Sequence, residues 1–424
     1  MPITVSPRSL REQTLLVFLA LFAGLSIIYL APKLLPPTNV VEYFDFQIWW
    51  IAAKIWASGQ NPYDVTSFQQ QYYEAFNRPD SPGEVWWLYP PFWYPLIVPF
   101  ALLPFKIAFV IWKIINFSLL IGATHLIARA LADVARQKYS LIFFLGVGFV
   151  CFMQSAAMTL WGGQTSILVY FGLSAMIFGL LKARPSLVIV GLVFLALKPQ
   201  IGIMAFAAVF ALHRYRWTIV PAAVICLLGS APTLFAGGYR ASIEGFLANL
   251  ALQSKTVSMR ADLTTGLIRI FDYQSYISNT FILGLAIISL AMIFSFIVLY
   301  NSSFNKADEV KDVEHQVASL ALFVAIIFFF VPLHSYDLVP LAAMSMMILA
   351  IPLAGRALIA IGLLICLRPL NLLGTLLGSE AERAAGGSAI SGKIILPISQ
   401  LLTVGLCLLF VGAMWSIVGR RRCC

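Results

Sequence analysis

Charge is scarce in this sequence. Of its 424 residues only 11% are Asp, Glu, Lys or Arg, while 60% are hydrophobic. A water-facing domain carries roughly 25% charge, so a soluble globular protein is excluded. Strict apolar–polar alternation is absent and the apolar runs are too long for strands, which excludes a transmembrane barrel. No GxxxxGK[ST] loop and no GxGxxG in a strand context occurs, so nothing calls for a bound nucleotide. The six cysteines (151, 226, 366, 407, 423 and 424) sit mostly alone in apolar runs, and no His/Cys spacing suits a metal. We expect no metal and no cofactor. The terminal pair Cys423–Cys424, after Arg420–Arg422, reads as a frayed tail or a palmitoylation signal.

What the chain has in quantity is apolar blocks. Leu15–Leu30, Leu141–Met153, Phe281–Tyr300, Ala318–Val331 and Leu396–Val418 are nearly free of charge. A spanning helix needs roughly 20 apolar residues, with every backbone donor satisfied inside it. The composition therefore predicts an all-α polytopic membrane protein, one transmembrane domain over residues 1–424. Leu15–Ala31 is too long for a signal-peptide core and no small-x-small site follows, so it reads as a retained first span. The net charge of +10 is assigned to topology and not to nucleic acid.

Short basic turns order the spans. They are Arg8/Arg11, Arg129/Arg136/Lys138, Lys182/Arg184, His213–Arg216, Lys306/Lys311, Arg356 and Arg420–Arg422. Residues 32–90 instead hold three basic residues (Lys33, Lys54, Arg78) against six acidic ones, which places them outside. If each basic turn is cytoplasmic, about twelve transmembrane helices result and both termini are cytoplasmic. The spans fall near 13–31, 107–131, 139–158, 164–181, 186–197, 199–212, 217–236, 279–300, 316–333, 337–354, 357–377 and 394–418. Two large outer loops follow, 32–106 and 237–278. The apolar stretch 90–105 must then be re-entrant or lie on the surface. The pair 186–197 and 199–212 must be thin buried spans meeting at Lys198–Pro199.

The first outer loop is rich in aromatics: six of the ten tryptophans are Trp49, Trp50, Trp56, Trp86, Trp87 and Trp93. Aromatic rings favour the headgroup zone, so this segment is expected to lie on the membrane. Phe46–Ala57 reads as an amphipathic interfacial helix closed by Ser58-Gly59-Gln60-Asn61-Pro62, with a second helix near Ser67–Phe76. Asp45 opens the first of these, which suits an N-cap and equally a well-placed base. The polar clusters Glu42–Asp45, Gly162–Gln164, Lys198–Gln200 and His334–Asp337 all fall on the outer face, which suggests one site. Arg368, within the eleventh expected span, needs a partner or a lipid phosphate. His125 and Arg129 read as interface anchors.

Glu42-Tyr43-Phe44-Asp45-Phe46, Asn61-Pro62-Tyr63-Asp64 and Tyr89-Pro90-Pro91-Phe92 resemble the first outer loop of family-87 glycosyltransferases. Gly163-Gln164, Leu197-Lys198-Pro199-Gln200 and His334-Ser335-Tyr336-Asp337-Leu338 continue the likeness, which runs from about residue 40 to about 345. These are polytopic enzymes of the C superfamily, typified by polyprenyl-phosphate-mannose-dependent alpha-1,2-mannosyltransferases. The resemblance implies a C-superfamily fold and transfer of a hexose, mannose in the type members, from a polyprenyl-phosphate-sugar to a lipid or glycan acceptor. It implies inversion, with Asp45 at the position of the catalytic base, and a site on the outer face of a bacterial plasma or inner membrane. The lipid-linked sugar is then a substrate, and membrane lipids are the remaining partners.

The chemistry of such a transfer suits the residues. Inversion needs one carboxylate to take the acceptor proton, and a phosphate leaving group needs cations more than a strong acid. Lys198 at the span break is a phosphate candidate, although a lysine there also snorkels to the interface. His334 and Arg260 are further phosphate candidates, and Arg240 could add to them. A protonated His334 predicts activity falling as pH rises through its pKa. Gln164 is expected to bind sugar hydroxyls unless Gly162-Gly163 is only a turn. Glu42, Gln200, Tyr89, Tyr336 and Asp337 complete the expected sugar and acceptor contacts. A secondary transporter or flippase is the alternative, since that class also uses broken spans, though it favours internal repeats that are not evident here. A surface-polysaccharide polymerase or ligase would share the lipid-linked donor.

Overall fold

The computed structural model describes residues 7–34, 44–76, 85–135, 137–256, 264–265, 280–302, 304, 313–331, 333–351, 353–368 and 392–418. Glu42, Arg260 and Cys423–Cys424 lie outside the described residues. With no charge to interrupt it, the first apolar run becomes α1, Pro7–Leu30, continued by a 3-10 turn to Lys33. The aromatic loop then folds into α2 (Phe44–Ala57), α3 (Val65–Phe76) and α4 (Tyr94–Ala101). The bundle continues with α5 (Phe105–Leu131), α6 (Tyr139–Phe152), α7 (Gln154–Gly162) and α8 (Ser166–Leu181). Then come α9 (Pro185–Ala196), α10 (Pro199–Phe210), α11 (Ile219–Ser230) and α12 (Tyr239–Thr256). The chain closes with α13 (Thr280–Tyr300), α14 (Val313–Phe330), α15 (Ala342–Met347), α16 (Leu353–Leu367) and α17 (Gly392–Val418). The one sheet among the described residues is a two-residue antiparallel ladder, β1 (Thr264–Thr265) with β2 (Leu333–His334).

Among the described residues five helical stretches are long and apolar enough to cross a bilayer: 11–33, 105–131, 216–234, 313–330 and 400–418. α6 and α7 pass the same test only as a pair, bent by 62° at Met153, whose extended backbone interrupts the helix, which makes them a broken span or a re-entrant turn. α9 and α10 are short helices meeting at Lys198, as the proline at 199 dictates: its ring ends one helix and presets the first turn of the next. Gly202 lets them fold back closely, because a side chain there would meet Ala196 Cα at 2.7 Å. The expected span 337–354 is not one helix. It is a 3-10 helix, Ser335–Leu341, that carries Pro340 and leads into the six-residue α15. Proline removes the ladder donor an α-helix would need at that point. The segment 90–105 forms a 3-10 turn and α4, which at eight residues is about 12 Å long, far short of a bilayer core.

Two cores form. One runs through the bundle from α1 to α17. The other is aromatic, built by Phe46, Trp49, Trp56, Trp87, Trp93 and Trp112 with their neighbours. The tryptophans expected along the headgroups are thus buried in protein: Trp87 and Trp93 are 0% exposed and Trp50, the most open of the six, only 8%. α2 accordingly is apolar on nearly every side, with Lys54 and Ala57 exposed, and is not the amphipathic surface helix expected. An aromatic ring buries about 150–250 Å², so a cluster of them can build a core from a loop alone. Trp49 anchors it, with ring centroids 4.3 Å from Trp93, 4.6 Å from Tyr89 and 5.1 Å from Trp112.

Candidate active site

The aromatic core fixes the entry of α2, and with it Asp45. The carboxylate lies in the first turn of α2, one residue inside the helix, where the macrodipole favours negative charge. α2 presses onto the α7–α8 turn. Gly163 is left-handed there (φ +73°), its carbonyl accepts from Trp112 Nε1 at 2.9 Å, and a side chain on it would strike Phe46. Gly162 is equally needed: a Cβ at that position would stand 2.9 Å from Asp45 Oδ2. The Gly-Gly pair is therefore both a turn and the space the carboxylate occupies.

Gln164, buried just beyond, lies close enough to the Asp45 carboxylate and the Tyr336 phenol to lower the pKa of each, while its own Oε1 has no hydrogen-bond partner. Burial pushes the Asp45 carboxyl up to about 6; Gln164 and then Lys198 counter that rise, and Asp337 adds to it. A carboxyl raised in this way suits a base. Tyr89 and Tyr336 complete the surroundings, and burial, reinforced by the two carboxylates, holds both phenols protonated. The Tyr89 carbonyl accepts from Tyr63 Oη at 2.5 Å, and its ring packs against Trp49 with centroids 4.6 Å apart.

Lys198 reaches the same place from the α9–α10 break. Its ammonium is paired with the Asp337 carboxylate, both groups being buried. Ser166 Oγ donates to Asp337 Oδ1 at 2.7 Å, Lys198 Nζ donates to Ser166 Oγ at 3.3 Å, and the His334 backbone N–H donates to Asp337 Oδ2 at 3.2 Å. An unpaired charge at that depth costs several kcal/mol, so the sequence places a counter-ion beside it. Tyr336 lies under the ammonium at 5.5 Å and stacks on His334 at 5.0 Å. Leu197 is tied back to the aromatic core by Trp93 Nε1, 3.1 Å from its carbonyl.

The structure brings together Asp45, Gln164, Lys198, Tyr89, Tyr336, Asp337 and His334 among the residues singled out from sequence. Gln200 sits in the first turn of α10, half-buried, and no described hydrogen bond ties it to Asp45. Arg240 is surface-exposed and paired with Glu244 at 2.7 Å, away from this cluster of contacts. Sequence reasoning missed Thr165 and Ser166; the signal was the polar run Gly-Gly-Gln-Thr-Ser opening an otherwise apolar helix. It also missed α12, whose Asn249 Nδ2 caps the carbonyls of Trp87 (3.0 Å) and Tyr63 (3.3 Å), and the β1 strand paired with His334.

No curated protein matches the chain. The family model for glycosyltransferase family 87 matches residues 87–308, a little over half of it. That stretch includes Gly162–Gln164 and Lys198, begins after Asp45 and ends before His334, so the contacts across the site join matched and unmatched segments. The matched extent and the apolar helices agree: the chain is an integral membrane protein and belongs to glycosyltransferase family 87.

Proposed function

We propose that this glycosyltransferase moves a hexose, mannose being the expected one, from a polyprenyl-phosphate donor to a hydroxyl of a lipid or glycan acceptor. The acceptor oxygen bonds to the anomeric carbon from the face opposite the phosphate. The carbon–oxygen bond to phosphate breaks, polyprenyl phosphate leaves with the electron pair, and the acceptor proton passes to Asp45. One observation carries the reading: the Asp45 carboxylate lies against the Gly162 turn, beside Gln164 and within electrostatic reach of the buried Lys198–Asp337 pair, where burial pushes its pKa up to about 6. Tyr89, Tyr336 and Gln164 offer hydroxyl and amide contacts for sugars around it. Lys198 shares its charge with Asp337, so the leaving phosphate draws on its remaining N–H and on His334. We place the site on the outer face of the membrane in a C-superfamily arrangement, as the basic turns and the family resemblance suggest.

The deciding experiment is transfer of radiolabelled sugar from polyprenyl-phosphate-mannose by the purified protein. The expected result is transfer by wild type and its loss in Asp45→Asn, with the product anomer inverted. Sustained transfer by Asp45→Asn would remove the proposed base. Donor uptake into vesicles without any glycosylated product would favour a carrier instead.

A further inference from the structure

Arg368 directly follows the last residue of α16, Leu367, and the rest of the expected span 357–377 lies outside the described residues. Its guanidinium is 4.2 Å from the Tyr29 ring and 4.7 Å from the Phe152 ring. The two ring centroids are 5.8 Å apart, so they form a corner around the cation. Nη2 donates to the Tyr29 hydroxyl, while Nε is buried without an acceptor. No carboxylate among the described residues pairs with Arg368, in contrast to Lys138, Lys182, Lys198 and Arg240. Aromatic faces steady a cation without cancelling its charge. Lys33 stands one turn beyond Tyr29, and Lys113 donates to the Lys33 carbonyl at 2.9 Å, which adds positive charge at this end of α1.

α1 leaves Phe18, Leu21, Leu25 and Ile28 between 62% and 68% exposed, an apolar flank that ends beside Tyr29. A net positive group at the end of such a flank calls for an anion. The anion that a bilayer supplies there is the phosphate of a lipid, and guanidinium matches its oxygens. The corner is distinct from the Asp45 site: α7 separates Phe152 from Gly162 by about 13 Å of helix.

We propose that Arg368, with Tyr29 and Phe152, binds the phosphate of an anionic lipid between α1, α6 and α16. This site is independent of the proposed transfer chemistry. Its source is either a bulk phospholipid or the polyprenyl phosphate itself, and two probes separate them. Full-length protein is reconstituted in phosphatidylcholine nanodiscs alone, with phosphatidylglycerol, or with polyprenyl phosphate, and retained lipid is counted by native mass spectrometry. Wild type is expected to retain at least one of the two anionic lipids. Arg368→Gln should weaken that retention roughly tenfold or more, the loss of a charged hydrogen-bonded contact. Arg368→Lys and Tyr29→Phe, milder changes that keep the charge, should weaken it less, and they serve should Arg368→Gln not fold. Asp45→Asn should retain phosphatidylglycerol like wild type, which keeps this outcome separate from any failure of the catalytic reading. Loss confined to phosphatidylglycerol identifies a bulk phospholipid; loss confined to polyprenyl phosphate identifies the isoprenoid. Equal retention by wild type and all three corner variants, or no anionic lipid on wild type, overturns the proposal.

Discussion

The space of one methyl group decides where the Asp45 carboxylate lies. Gly162 has none, and Oδ2 occupies the room a Cβ would take. Gly162→Ala is therefore expected to lower kcat by roughly tenfold or more through displacement of the carboxylate. Thermal stability should move by no more than about 1 kcal/mol, since only one soft contact is disturbed. Transfer assays beside thermal-shift measurements check both halves. The carboxyl itself sets a pH limb. Burial raises its pKa to about 6, and a base works only when ionised, so kcat should climb as pH rises through about 6 and level off above. A profile flat from pH 5 to 8 with chemistry rate-limiting would contradict that role. At this scale the sequence was informative wherever polar residues interrupt apolar runs, as at Asp45, Lys198 and Asp337. It was uninformative at Thr165 and Ser166, because hydroxyls inside apolar helices usually bond back to their own backbone, as Thr124 does to Leu120 at 2.9 Å.

Elements matter at the α9–α10 break, where Lys198, Ser166 and Asp337 knot three segments that lie far apart in sequence. Removing one partner of a buried ion pair strands the other charge. Lys198→Met should cost about 3–5 kcal/mol, and the double variant Lys198→Met/Asp337→Leu should regain most of that stability. It should not regain transfer activity. Unfolding midpoints in detergent for the two singles and the double separate a structural pair from a dispensable one. The last helix pair obeys a different rule. Gly355 and Gly362 on α16 face Gly412 and Gly405 on α17; a Cβ at Gly362 would come within 2.7 Å of the Gly405 carbonyl oxygen. Small residues at such crossings let backbones approach, and their seven-residue spacing was readable in the sequence although its antiparallel pairing was not.

For the molecule as a whole, the aromatic loop is the part whose composition was plain and whose placement was not. Tryptophans suit a headgroup belt and a packed core equally, and no local pattern tells the two apart. Long-range bonds decide: Trp93 to Leu197, Trp112 to Gly163, and Asn249 of α12 to Trp87 and Tyr63. Asn249→Ala leaves two buried carbonyls without a donor, at about 1–3 kcal/mol. The expected result is faster deuterium uptake across Tyr239–Thr256, with α8 and α9 unchanged. The same long-range logic explains the span 337–354. Its hydropathy fits a crossing, but Pro340 and the counter-ion duty of Asp337 turn it into a short buried segment.

The brevity of α9 and α10 also reaches beyond the protein. At twelve residues each they are about 18 Å long, against a hydrocarbon core about 30 Å thick. Ile203 and Phe210 on α10 are 50% and 61% exposed, so lipid tails meet this shortened wall directly. If each crosses the hydrocarbon, a mismatch of that size favours local thinning of the bilayer beside the wall. The leaflet surface is then expected to dip toward the Lys198 break, and the phosphate of the donor proposed above would reach the depth of the site without leaving its own headgroup layer.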